Sequence, residues 1–289
     1  MTRFVVPADF SGPAKDFLRK QAGISLTLWR KIKSKNSFFV NGLPLSPGSA
    51  FVRPGDIITY TTEQTSSLRA TRLPLTICYE DDAVLVINKP AGQLVHPTTK
   101  EHDQTLANAV LYYYQKTNQP YAFHPVHRLD RNTSGLVLLA KEPQIQHLLT
   151  TGMQKHFQRS YLALVEGQVS VAEGLIDAPI GRKPGSIIER MVYPAGQEAR
   201  THFRTLRSSP DFSLLFLRLE TGRTHQIRVH LSHLGHPLAG DDLYGGSLNE
   251  IARHALHACA LSFLHPVSGK QIQVYCPLPA DMQRVLTLL

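Results

Sequence analysis

The sequence predicts an α+β fold in two parts: a large body built on a mixed, largely antiparallel sheet, and a small N-terminal α/β domain. Three observations lead there. Apolar runs of strand type outnumber helical patterns and often follow one another directly, which favours antiparallel pairing over a doubly wound sheet. The stretch TTEQTSSLRATRL at 61–73 is polar, rich in Thr and Ser, and without either period, so it is expected to be a linker. Charge is also divided unevenly, with 11 basic and 4 acidic residues in 1–72 against 20 and 18 in 73–289. The expected organisation is therefore 1–60, a linker at 61–73, and a second domain at 74–289.

In the first part, Pro13 to Ala22 has helical spacing, with Phe17 and Leu18 on its apolar side and Gly23 as its stop. Ser25 can cap a second helix through Leu26, Leu28, Trp29 and Ile32, whose other face carries Arg30, Lys31, Lys33 and, just beyond, Lys35. Phe38-Phe39-Val40 enters a tight turn at Asn41-Gly42, and Ile57 to Tyr60 is a closing strand. In the second part, LTICYE and VLVINK form a hairpin around Glu80-Asp81-Asp82. Leu106 to Tyr114 has helical spacing, and the uninterrupted run Leu136 to Ala140 is a strand buried on both faces. Tyr161 to Val165, Phe212 to Glu220 and Ile272 to Tyr275 are further strands.

Composition excludes several classes. An apolar fraction of 42% with 18% charged residues is that of a globular protein with a full core. No apolar run nears the roughly 18–20 residues that span a bilayer, and the first ten residues show no secretory pattern. Three scattered cysteines (Cys78, Cys259, Cys276) form neither a disulfide framework nor a CxxC pair, so the cytoplasm is the expected location. The formal charge of +9 fits either a polyanion partner or simply a basic, soluble surface. With no heptad pattern, a coiled-coil dimer is not expected and a monomer is.

GxxxxGK[ST], GxGxxG and GxSxG are absent, so no nucleotide cofactor is expected. The spacing of His225, His230, His233 and His236, and of His254, His257 and Cys259, matches neither HExxH nor a deaminase zinc site. These histidines are expected to be structural, some of them touching a polyanion partner, and no metal is expected. The segment HPVHRLDRNTSGLVLLAK (124–141) is different. A loop with Arg128, Asp130 and Arg131 runs through small, hydroxylated residues into a buried strand. Asp130 has a cation on each side in sequence; it suits a nucleophile or base, although a carboxylate in such a place is more often a salt-bridged loop residue.

HRLDRNTSGL resembles the signature of the RluA-type RNA pseudouridine synthase family at every characteristic position. YEDDAVLVINKPAG (79–92), RSYLALVEG (159–167), ETGRTHQIRVHLSHLGHPLAGDDLYG (220–245) and ALHACALSFLHPVSGK (255–270) are similar to its other segments, in the family's order. Arg159 and Gln197 stand where many relatives carry lysine. Residues 12–60 are similar to the alpha-L RNA-binding motif of a ribosomal small-subunit protein, which makes Arg30, Lys31, Lys33 and Lys35 candidate RNA contacts. The resemblance implies the pseudouridine synthase fold and isomerisation of uridine in RNA by base flipping, without a cofactor. Asp130 would be the essential carboxylate, Tyr161 would stack on the flipped base, Arg228 would pair with Asp130, and Arg128 would contact the RNA. Ribosomal RNA is favoured over transfer RNA; whether Asp130 attacks the sugar or deprotonates it stays open. Two rival readings are a non-catalytic RNA-binding protein on the same fold and a nucleoside hydrolase, the latter leaving the basic segment without a purpose.

Overall fold

The computed structural model describes residues 2–34, 38–61, 66–151 and 157–289. Residues 2–60 close their own core. Helix α1 (Ala14–Asp16) continues as a wide turn over Phe17–Gln21, and α2 (Leu26–Ser34) follows after Gly23, whose φ of +66° ends the first helix. The Ser25 hydroxyl accepts from Leu28 N–H at 3.0 Å, capping α2. Four strands, β1 (Thr2–Val5), β3 (Phe38–Val40), β4 (Leu43–Pro44) and β6 (Ile57–Tyr60), pair antiparallel in the order β1-β6-β3-β4; β2 (Gly12–Pro13) and β5 (Phe51–Val52) pair separately. Asn41 and Gly42 both adopt positive φ, as a tight hairpin turn requires.

The body is one ten-stranded sheet. Its first half contains β7 (Thr76–Glu80), β8 (Val84–Lys89), the short β9 (His124–Pro125) and β10 (Ser134–Ala140). The second contains β11 (Gln158–Glu166), β12 (Glu173–Asp177), β15 (Arg200–Ser208), β16 (Phe212–Leu219), β17 (Leu256–Leu264) and β18 (Gln271–Tyr275), with a separate ribbon of β13 (Ile180–Arg182) and β14 (Arg190–Val192). The path runs β12-β15-β16-β11-β17-β10-β8-β7, and every pairing is antiparallel except β10 with β17. That parallel seam has only two residue pairs, Ser134 with His257 and Gly135 with Ala258. Gly135 is obligatory there: its φ is +111°, and a Cβ would lie 2.3 Å from the Ala258 carbonyl oxygen.

Helices cover both faces. Leu85, Ile87, Val137 and Leu139 pack with α3 (Leu106–Lys116) and α5 (Gln226–His233), while Val84, Val86, Leu136 and Leu138 share a cluster with Ile145 and Leu149 of α4 (Pro143–Thr151). Burial on both sides explains the uninterrupted apolar spelling of β8 and β10. A last helix, α6 (Ala280–Val285), packs Met282 and Val285 against Leu164 and Ala255.

Residues 62–65 of the expected linker lie outside the described residues. The described residues of the supposed linker, 66–73, are strapped to α3: Leu68 and Ala70 pack on the main core, Thr71 N–H donates to Asn108 O, and Asn108 Nδ2 donates to Arg69 O at 2.6 Å. The first part also touches the body, since Thr2 Oγ1 donates to Glu142 Oε2 at 3.1 Å and Gln144 Nε2 to Ala22 O at 2.7 Å. These contacts come from a buried Asn and from the start of α4, neither of which composition marks.

Candidate active site

Asp130 sits on the loop that leads into β10, and four polar side chains fix that loop by its backbone and hydroxyls. Lys89, with no exposed surface, donates to Arg131 O at 3.1 Å and also to Pro90 O and Gln93 O. Arg253 Nη1 donates to Asn132 O at 3.0 Å and is itself held by Asp281. Thr133 Oγ1 bonds to His254 Nε2 at 2.8 Å, and Ser134 Oγ to His257 Nδ1 at 2.9 Å. Burial pushes Lys89 down to about 7, against the pull of Asp130, and drives His254 down to about 2, helped by Arg228. An unpartnered polar group in this interior would cost about 1–3 kcal/mol, so these bonds hold the loop in one conformation.

Asp130, Tyr161 and Arg228 line one pocket, with Leu129, Leu219, Ile227 and Leu256 as its apolar walls. Tyr161 points inward from β11; burial raises its phenol above the ordinary value, Arg159 opposes this and Asp130 adds to it. Arg228 comes from α5, a helix whose Gln226, Arg228 and His230 are all buried. Gln226 ties the preceding turn: its Oε1 accepts from Thr221 Oγ1 and Arg223 N–H, and its Nε2 donates to Arg200 O.

Arg228 does face Asp130, Nη1 lying 3.6 Å from Oδ2. Its two-pronged grip, however, is on Asp241, with Nε to Oδ2 at 2.8 Å and Nη2 to Oδ1 at 2.7 Å. The guanidinium also lies over the Tyr244 ring, 4.9 Å from its centroid. Burial alone would depress this guanidinium; the bonds to Asp241 and the charge of Asp130 outweigh it and raise it.

Neither sequence neighbour of Asp130 supplies its cation. Arg131 pairs with Glu101 at 2.7 Å, and the exposed Arg128 lines the pocket mouth with no side-chain hydrogen bond or ion pair among the described residues. Arg30, Lys31 and Lys33 are exposed on α2, while Lys35 lies outside the described residues. Of the histidines, His230 bonds to Thr201 Oγ1 and Ala178 O and His236 to Glu166 O, but His225 stands in the pocket with Nε2 3.9 Å from Asp130 Oδ2. Sequence reasoning missed Asp241, Tyr244 and His225. All three lie in segments it had singled out, and Asp241 two residues before Leu243-Tyr244-Gly245 was the available signal.

A carboxylate beside a guanidinium and a tyrosine, at the mouth of a part-apolar pocket, is the layout of an enzyme site for a polar substrate. The comparisons with known proteins give that enzyme its class. The sequence pattern of the RNA pseudouridylate synthase family matches residues 83–233. An uncharacterized RNA pseudouridine synthase, YjbO, of Bacillus subtilis is 46% identical over 240 residues, 81% of this chain and 84% of the relative. Ribosomal large subunit pseudouridine synthase D of Vibrio cholerae is 40% identical over 260 residues, 84% of this chain and 80% of the relative. Among solved structures, human RNA pseudouridylate synthase domain containing 1 superposes with a TM-score of 0.59 at 26% identity, covering 72% of this chain and 87% of that one. The chain belongs to the RNA pseudouridine synthase family. It is accordingly an isomerase that converts uridine in RNA to pseudouridine, and the α+β, largely antiparallel fold expected from the sequence is the fold it has.

Proposed function

We propose that the protein isomerises specific uridines of ribosomal RNA with Asp130 as its essential carboxylate, acting on a nucleotide flipped out of its stack, in the cytoplasm. The observation that carries this reading is the convergence of Asp130, Tyr161 and Arg228, from three separate elements, on one pocket. The reaction breaks the bond between uracil N1 and the ribose, turns the base, joins C5 to the same sugar carbon, and releases the C5 proton while N1 takes one up. No redox change or phosphoryl group enters. A carboxylate against the sugar stabilises the cation-like transition state, as carboxylates do in glycoside hydrolysis. A cation 3.6 Å away keeps the carboxylate oriented.

Tyr161 and the apolar walls give the detached uracil a surface to stack on and keep water from it. Extrusion of the base costs a few kcal/mol, least for an unpaired nucleotide. Arg128, exposed at the pocket mouth without a protein partner among the described residues, is suited to meet a phosphate there. Residues 2–60, with Arg30, Lys31 and Lys33 exposed on α2, serve as an RNA-binding module of alpha-L type. Ribosomal RNA is favoured because relatives near 40% identity, in Haemophilus ducreyi as in Vibrio cholerae, bear the name ribosomal large subunit pseudouridine synthase D.

The test is pseudouridine mapping of ribosomal and transfer RNA after incubation with the purified protein, beside its Asp130→Asn variant. New pseudouridine in ribosomal RNA with wild type, and a loss of about 10³-fold or more with the variant, is expected. Turnover by Asp130→Asn near the wild-type rate would sink the assignment of Asp130, and modification confined to transfer RNA would sink that of the substrate.

A further inference from the structure

His225 is the one histidine of the pocket, and its surroundings fix more about it than proximity. Its backbone is left-handed, with φ +59° and ψ +20°, at the cap position of α5. Residues other than glycine adopt this region uncommonly, histidine more readily than most, and such a conformation persists where the surrounding structure enforces it, frequently at functional sites. Here the enforcement is visible: Gln226 pins the turn before it, and α5 is buried after it.

The ring is equally determined. Its Nδ1 lies 2.8 Å from the Tyr244 hydroxyl, and that hydroxyl accepts the Arg190 N–H at 2.9 Å. Among the described residues the phenol hydrogen has no acceptor other than His225 Nδ1. Nδ1 therefore accepts, and the ring hydrogen sits on Nε2. Nε2 is the atom 3.9 Å from Asp130 Oδ2, the same oxygen that Arg228 Nη1 faces from 3.6 Å. Two donors thus converge on one carboxylate oxygen.

We propose that His225 is a second positioning residue for Asp130, its neutral Nε2–H holding Oδ2 alongside Arg228 and so fixing the direction in which the carboxylate meets the uridine. The inference rests on Asp130 being the essential carboxylate. Both donor distances exceed a hydrogen bond by less than 1 Å, a gap that closes when a bound nucleotide fills the pocket, since catalytic hydrogen bonds tighten in the substrate complex. Tyr244 acts on both donors at once, setting the imidazole tautomer through its hydroxyl and supporting the Arg228 guanidinium with its ring. Burial and the neighbouring Arg228 hold the imidazole below its ordinary value, against the pull of Asp130, in keeping with the uncharged form.

The experiment compares His225→Gln with His225→Met, which share length and backbone strain and differ in one N–H donor, and adds Tyr244→Phe, which keeps the ring and removes the hydroxyl. Single-turnover rates on a short RNA known to be modified by the wild type are measured with RNA affinity and melting temperature, and Asp130→Asn serves as the reference. His225→Met should lose roughly 10–100-fold in rate, the worth of one hydrogen bond to a charged group, with affinity unchanged. His225→Gln should recover much of that loss, and Tyr244→Phe should fall between. Equal rates for the Gln and Met variants overturn the proposal, as does a loss seen in affinity alone, which would make His225 an RNA contact. If Asp130→Asn itself turns over like wild type, the failure belongs to the assignment of Asp130 and is read separately.

Discussion

The core of residues 2–60 is assembled from apolar side chains and Tyr60, whereas the body buries Lys89, Asn108, Arg228, Asp241, Arg253 and His254. Among the described residues no charged side chain is buried before Lys89. The contrast separates two uses of a fold. An apolar core needs only volume and pattern, so it can present any surface, and here it presents Arg30, Lys31 and Lys33 to solvent. A core with buried ions stabilises less per residue but holds particular atoms in particular places. The first part is built to carry charge on its outside, the second to aim a carboxylate from within.

After Asp130→Asn, the largest effect should come from dismantling the buried fork. Asp241→Asn removes the carboxylate that Arg228 grips with two bonds and leaves the guanidinium to Asp130 alone, 3.6 Å away; stability should fall by up to about 3 kcal/mol, and single-turnover activity by about 100-fold or more. Arg228→Lys should fall nearly as far, because an ammonium cannot grip Asp241 and face Asp130 together. Both variants are checked by single-turnover kinetics and by urea unfolding. Activity within twofold of wild type in either would show that the fork supports the fold and not the site.

Acid should distinguish the two parts next. All fourteen histidines lie after residue 95. Burial pushes His127 down to about 3, His254 to about 2 and His257 to about 4. Below the ordinary value of about 6.5 the unfolded chain binds protons that the folded body refuses, so stability present above that pH is lost as pH falls. Each such group contributes up to about 1.4 kcal/mol per pH unit. Urea unfolding from pH 7 to pH 4 should show this for the body, with near-full resistance in the tryptophan signal of Trp29, which reports residues 2–60 alone. Parallel loss of both signals would mean that the two parts unfold as one unit.

The smallest effect is expected from removing residues 1–65, which leaves the strap at 66–73 in place. Affinity for long RNA should drop and its salt dependence should flatten, by roughly 0.7–0.9 in slope for each phosphate that the shortened chain no longer neutralises. The rate at saturating RNA should change by no more than a few fold, reflecting the missing hydrogen bonds from Thr2 to Glu142 and from Gln144 to Ala22. An unchanged salt slope would remove the case for a charged anchor.

Much of this was legible in the sequence, and the failures share a cause. The helix ending at Gly23, the Asn41-Gly42 turn and the strands through Val84–Lys89 and Ser134–Ala140 were readable because local chemistry alone decides them. Helix α5 was not, since both of its faces are buried and its inward polar residues erase the amphipathic stripe. Strand β15 alternates Thr201, Phe203 and Thr205 with Arg200, His202 and Arg204, a half-exposed pattern that its many charges disguise. Asp130 was found through its motif. The two-pronged bond of Arg228 to Asp241 was not legible, because that carboxylate arrives from a later turn that no periodicity predicts.

The two-pair parallel seam has a consequence for how the protein comes into being. Ser134 and His257 are separated by more than a hundred positions, so their pairing closes a long loop and is rewarded only after most of the chain has been synthesised. The loop carrying Asp130 hangs directly from that seam, and Arg253, His254 and His257, which hold it, arrive on the late side. A nascent or half-folded chain can therefore own a complete N-terminal module and a complete first hairpin without owning a site. The geometry around Asp130 is thus completed late, when Arg253, His254 and His257 arrive.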